Sequence, residues 1–154
     1  MEIIIKKLKT KEEAENLFEK FKPTLKNDFS NFPKEAMEVF RKRYSKNRLL
    51  SKFLAYIVSD QDHIIGFVIG DQPYAGVGYI DWIWVDPRYR KKGIGIKLLS
   101  FLEKEYKKLG SHKINLSTSH KNNLEFYKKC GFQIEGLRKK DSFKLDFYSF
   151  GKPI

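Results

Sequence analysis

The chain has 154 residues, 41% hydrophobic and 15% aromatic, with 31 Lys and Arg against 19 Asp and Glu for a formal charge of +12. That length is enough for one domain with a real core, and the apolar content excludes an intrinsically disordered chain. No apolar run approaches the roughly 18 residues of a membrane span, and the single cysteine, Cys130, excludes an internal disulfide. The run Ile3-Ile4-Ile5 is too short for the apolar centre of a signal peptide, so a cytoplasmic setting is expected. The positive excess attracts polyanions. Its lysines are scattered, however, with no run of five or six like charges, and a solvated basic surface is the simplest reading.

Ile3 to Leu8 reads as a first strand. Thr10-Lys11-Glu12-Glu13 is a capping box, Thr10 at the N-cap and Glu13 at N3, and starts a helix toward Phe21. Pro23 to Pro33 is expected as a loop. A second helix runs from Pro33 or Lys34 to about Asn47, with Ala36, Met37, Val39, Phe40 and Tyr44 as its apolar positions. Phe53–Val58 and Ile64–Gly70 are strands around the turn signal Ser59-Asp60-Gln61-Asp62-His63. Asp71 to Gly78 is expected as a turn-rich connection, and Tyr79 to Val85 as a buried strand. A helix follows with Leu98, Phe101, Leu102, Tyr106 and Leu109 on one face, and Gly110 is its natural C′ residue. Lys113–Thr118 reads as a strand, Asn122–Cys130 as a helix, and Phe132–Gly136 and Phe143–Phe150 as the last strands.

The most informative segment joins the Tyr79–Val85 strand to the helix behind it: Asp86-Pro87-Arg88-Tyr89-Arg90-Lys91-Lys92-Gly93-Ile94-Gly95. A loop that opens a helix offers free backbone N–H groups and the positive end of the helix dipole to an anion. Gly93 and Gly95 allow a phosphate close to the backbone, and Arg90, Lys91 and Lys92 add charge at the same place. The Walker pattern is absent. The dinucleotide pattern begins at Gly93 and Gly95 but has Leu98 at its third glycine.

What remains, R-x-x-G-x-G from Arg90 to Gly95, resembles the acyl-CoA-binding motif of the GNAT superfamily of N-acetyltransferases. Asn123-Leu124-Glu125-Phe126-Tyr127-Lys128-Lys129-Cys130-Gly131-Phe132 is similar to the family's other signature, a short helix ending in Y-x-K-x-G-F. The resemblance spans about Tyr79 to Phe132; before it only the order of elements agrees. It implies a single α/β domain over residues 1–154 with the GNAT acyl-CoA N-acyltransferase fold, a central mixed sheet of about six to seven strands flanked by about four helices. It also implies acetyl-CoA as co-substrate, a primary amine as acceptor (a small molecule, a protein N-terminus or a lysine), no metal, and a monomer or homodimer. By the same resemblance the cofactor contacts fall on Ile83, Trp84, Val85, Arg90, Lys91, Lys92, Gly93, Ile94, Gly95, Ile96, His120, Asn123 and Lys129. Two positions depart from the pattern: His120 stands where the family often has Asn, and Asn123 where a small Ala is common.

Acetyl transfer to an amine needs a base for the ammonium, donors for the oxyanion and a proton for the departing thiolate. Asp81, the one charged residue in an apolar strand, is the expected base. Alternation puts it on the face of Ile83 and Val85, with Trp82 and Trp84 turned to the core. Related branches carry Glu where this chain has Asp81, so the shorter side chain favours a water relay. Tyr127 is the expected acid, and the resemblance implies that its hydroxyl lies near the thioester sulfur. It also implies that the long strand splays from its neighbour, leaving a backbone N–H near Trp82 or Ile83 for the oxyanion. The first two helices and the Asp71–Gly78 connection set the acceptor. Two other readings stand beside this one. One keeps the fold and cofactor but not the catalysis. The other is a basic module for ribosome or nucleic acid, for which no recognised motif is present.

Overall fold

A computed structural model describes residues 2–154. Its seven strands form one sheet in the order β1-β2-β3-β4-β5-β7-β6. They are β1 (Ile5–Lys7), β2 (Phe53–Asp60), β3 (His63–Tyr74), β4 (Val77–Val85), β5 (Lys113–Thr118), β6 (Gln133–Arg138) and β7 (Phe147–Pro153). The helices are α1 (Lys11–Asp28), α2 (Pro33–Arg43), α3 (Lys46–Ser51), α4 (Ile94–Lys108) and α5 (Leu124–Lys129). β4 and β5 pair in parallel, while the other neighbours are antiparallel. A parallel pair needs a long crossover, and α4 supplies it.

The sheet separates two cores. On one face α1, α2 and α3 pack Leu17, Phe21, Leu25, Tyr44 and Leu49 against Phe53, Phe67 and Ile69. On the other, α4 and α5 pack Leu98, Leu102, Tyr106 and Tyr127 against Val68, Ile80, Leu116 and Phe150. β2 and β3 are covered on both sides, which is why Phe53–Val58 and Ile64–Gly70 read as unbroken runs. No helix among the described residues is long and apolar enough to cross a membrane.

Several boundaries differ from the sequence expectation, each for a physical reason. α1 continues through Pro23 to Asp28 instead of ending near Phe21. An interior proline costs about 3 kcal/mol. Leu25 and Phe29 beyond it are buried, and each side chain offsets that cost by about 1.5–3 kcal/mol. The expected second helix is two, broken at Tyr44-Ser45, where the Ser45 hydroxyl accepts from the Arg48 N–H and starts α3. The Asp71–Gly78 connection is mostly strand. β3 and β4 run on into a two-residue turn, with Ala75 at φ 53° and Gly76 at φ 80°, both left-handed as a tight hairpin requires. The last strand begins at Phe147 rather than Phe143, because residues 142–144 turn back over α1 and α2.

Candidate active site

The site begins where the parallel ladder stops. β4 and β5 pair only from Val77↔Lys113 to Ile80↔Leu116. Beyond that point β5 pairs with β7 alone, through Ser117 and Thr118, and β4 keeps only β3 through Val85. Backbone groups of Asp81–Val85 that would have met β5 therefore face a gap, and unpaired backbone donors there invite a ligand. The residues that flank the gap on β4 are Ile83, Trp84 and Val85.

The ladder ends at a bulge. Gly70 pairs with Ile80 and Ile69 with Trp82, so Asp81 is the extra residue without a partner on β3. The bulge overturns the expected alternation. Ile80, Ile83 and Val85 pack on the α4 side, while Asp81 shares the α1–α3 side with Trp82 and Trp84, where it meets Tyr44.

Asp81 is not isolated there. Its side chain is 4% exposed, and it accepts from Arg43 Nε (2.7 Å), Arg43 Nη2 (2.9 Å) and the Tyr44 hydroxyl (2.7 Å). The bond to Asp81 raises the Arg43 pKa, fixing the guanidinium in its charged form. Burial, then the nearby Asp81 charge, raises the Tyr44 pKa and keeps its hydroxyl a donor. The second Arg43 contact is Asp71 of β3, at 3.4 Å from Nη2. Burial and the Asp81 charge push the Asp71 carboxyl up to about 6. On the opposite face of the sheet the Tyr106 hydroxyl reaches the Asp71 (2.7 Å) and Tyr79 (3.0 Å) carbonyl oxygens and fixes the backbone there.

At the other end of the gap is the basic loop. Asp86 is buried and accepts from the Arg88 backbone N–H (2.9 Å), Nε (3.2 Å) and Nη2 (2.9 Å). Its own N–H donates to the Ile65 carbonyl. The Tyr89 hydroxyl donates to Asp60 at 2.7 Å, tying the loop to the β2–β3 turn. Arg88 is thus occupied, while Arg90, Lys91 and Lys92 are exposed. Arg90 Nε donates to the Val85 carbonyl, and Lys92 stands over the Tyr89 ring. Gly93 is the N-cap of α4 at φ 81°, with no side-chain cap on the helix. The first N–H groups of α4 therefore remain available to an anion beside Ile94, Gly95 and Ile96. The two glycines do different work. A Cβ on Gly93 would meet nothing within 4 Å, so backbone conformation alone demands glycine there. A Cβ on Gly95 would lie 3.2 Å from the Phe126 ring, so this glycine lets α5 pack onto the start of α4.

That packing seats Tyr127 in the core between α4, α5 and the sheet. Its ring lies among Phe126, Phe132 and Phe150, and burial pushes its hydroxyl well above the usual tyrosine range. Asn123 is the N-cap of α5, and Lys129 is exposed at its last turn. His120 Nε2 lies 3.1 Å from Asp28 at the end of α1, and that hydrogen bond raises the histidine pKa. His120 therefore joins the β5–α5 connection to α1. Phe143 covers the ends of α1 and α2: its ring lies 4.9 Å from Phe29 and 6.0 Å from Phe40, and Phe40 in turn meets Trp82 at 5.6 Å.

Sequence reasoning missed Arg43, Tyr44 and Asp71. One signal was available: Asp71 and Asp81 are carboxylates attached to apolar strand runs. Only the β3–β4 register and the bulge bring them to a common guanidinium.

Comparison with known proteins agrees with this geometry. The sequence matches the profile of the Acetyltransferase (GNAT) family over residues 12–132. It is 36% identical over 61 residues to the glucosamine 6-phosphate N-acetyltransferase of Arabidopsis thaliana, a match spanning 40% of this chain and 40% of that protein. The structure superimposes on the PaiA N-acetyltransferase of Thermoplasma acidophilum, solved with coenzyme A, with a TM-score of 0.80, 27% identity and full coverage of both chains. The ribosomal-protein-S18-alanine N-acetyltransferase of Escherichia coli shares the fold at a TM-score of 0.73 and 19% identity, over 99% of this chain and 94% of that one. With the profile covering most of its length, the chain belongs to the GNAT acetyltransferase family.

Proposed function

We propose that the protein transfers the acetyl group of acetyl-CoA directly to a primary amine. One observation carries this reading: the β4–β5 gap runs from a buried carboxylate bulge at Asp81 to the uncapped, basic start of α4. The open N–H groups of α4 with Arg90, Lys91 and Lys92 suit the phosphates of the cofactor. Unpaired backbone groups around Ile83, Trp84 and Val85 suit its amides, and a donor near Trp82 or Ile83 suits the thioester oxygen as it gains charge.

Tyr127, held neutral by burial, gives its proton to the departing sulfur. His120, Asn123 and Lys129, before and along α5, are further cofactor contacts on this reading. The carboxylates at the bulge, Asp81 with Asp71 beside it, face the amine and its proton. The acceptor enters from the α1–α2 side, past Phe143. A single cysteine suits a cytoplasmic setting.

The test has two arms. Acetyl-CoA at 100 times its dissociation constant should stabilise the protein by about 2.7 kcal/mol in thermal unfolding. Free thiol should then appear with at least one amine from a panel of spermidine, an aminoglycoside, glucosamine 6-phosphate and an alanine-initiated peptide. Stabilisation without thiol release would leave a cofactor sensor. Stabilisation by an oligonucleotide instead of acetyl-CoA would leave a nucleic-acid module.

A further inference from the structure

The bulge holds two carboxylates and one guanidinium, and they are not equivalent. Asp81 is almost fully buried and takes three short hydrogen bonds, two from Arg43 and one from Tyr44. Three donors crowd its two oxygens, which leaves little room for an amine or a water at that side chain. Asp71 is 37% exposed, has one long contact with Arg43 at 3.4 Å and lies within hydrogen-bond reach of the Asp81 carboxylate. Both carboxylates contact the Arg43 guanidinium, and Asp71 has the weaker hold on it. The groups around Asp71 are Asp81 of β4, Arg43 of α2 and Arg48 of α3. Asp71 pairs with Tyr79 on β4, one step before the ladder opens.

We propose that Asp71 is the general base of this acetyltransferase and that Asp81 is a positioning residue that fixes Arg43 beside it. The inference rests on the acetyl-transfer reading above. Arg43 cannot be the base, since Asp81 keeps it protonated. Tyr44 cannot, since its proton is committed to Asp81. Asp71 alone combines access to water, a place beside the Asp81 bulge and a carboxyl basic enough to hold a proton near neutrality.

The proton count closes. The acceptor ammonium gives one proton to Asp71, and the free amine forms the C–N bond at the thioester carbonyl. The nitrogen loses its second proton to water as the C–S bond breaks. The thiolate takes the proton of Tyr127, which is restored from solvent. Asp71 releases its own proton to solvent, and one proton is liberated in each turnover.

Asp71→Asn is nearly isosteric and tests the role directly. Whichever amine of the panel gives the fastest thiol release serves as the probe. In the wild-type protein kcat/KM should fall on the acid side with a midpoint near 6, because a protonated Asp71 accepts nothing. The variant should lose that limb and turn over about 100-fold more slowly at pH 7. Its deficit should shrink as pH rises and the amine deprotonates without help, while acetyl-CoA affinity by calorimetry stays unchanged. An Asp71→Asn protein that keeps both the wild-type rate and the acid limb overturns the assignment. So does a deficit that is equal at every pH, which is the mark of a structural role. A wild-type protein that binds acetyl-CoA yet releases thiol with no amine defeats the acetyl-transfer reading, and this inference with it.

Discussion

Tyr127 brings two demands onto one residue: its ring belongs to the α4–α5 core, and its hydroxyl has no hydrogen-bond partner among the described residues. Removing only the oxygen separates them. Tyr127→Phe should change stability by at most about 1–2 kcal/mol, while turnover falls about 100-fold and the affinity for acetyl-CoA moves much less. Steady-state kinetics with acetyl-CoA and with a donor of more acidic thiol check this, since the better leaving group needs less protonation. Equal losses with both donors would make Tyr127 a positioning residue. The places of Tyr127 on α5 and of Gly93 at the start of α4 were legible in the sequence because each belongs to a contiguous motif. Asp71, Arg43 and Tyr44 were not, because their meeting depends on strand register and on one extra residue in β4, and neither leaves a mark on local composition. Asp81 was legible as a costly carboxylate. Its partner was not, because Arg43 lies 38 positions away in the chain.

At the scale of elements, α4 and α5 form one unit through the contact of Gly95 with Phe126. The two glycines of the motif should therefore fail differently. Gly93→Val forces a β-branched residue to φ 81° in open space. It should weaken acetyl-CoA binding by about 1 kcal/mol or more through distortion of the anion loop. Gly95→Ala should instead push Phe126, lower thermal stability and disturb the seating of Tyr127. Calorimetric titration with acetyl-CoA, beside unfolding of both variants, checks the contrast. Identical profiles would mean that the glycines share one role. Element boundaries were legible where local signals decide them, as at the Thr10 capping box, in the Lys113–Thr118 strand and at Gly110 behind α4. They were missed where burial outweighs local preference. Leu25 and Phe29 carry α1 past Pro23, and Phe143 leaves the strand pattern to cover Phe29 and Phe40.

At the scale of the whole molecule, the two cores lie on opposite faces of the sheet, and His120–Asp28 is a polar tie between the helix α1 of one and the loop before α5 of the other. The bond raises the folded pKa of His120 above its ordinary 6.5. Its contribution is therefore complete below pH 6.5 and disappears as pH rises through the folded value. With the histidine side chain 43% exposed, screening limits it to about 0.5 kcal/mol. Urea unfolding of wild type and Asp28→Asn should differ at pH 5.5 and coincide at pH 8.5. A gap that persists at the higher pH would mean that Asp28 acts through something other than His120. The sheet's order and the layering of helices follow from the family motifs and the sequence of elements. The tie follows from neither, since it joins two segments that the chain separates by a domain's breadth.

The opening between β4 and β5 has a further consequence. A sheet normally exposes unpaired strand only at its two borders, where charge and shape guard against other chains. This one carries an extra border within, along Asp81–Val85, where Ile83, Trp84 and Val85 are adjacent and apolar. Acetyl-CoA seated as proposed would occupy that border and shield it from the edges of neighbouring molecules. On that reading the supply of acetyl-CoA would bear on how long the folded protein stays dispersed as well as on how fast it works.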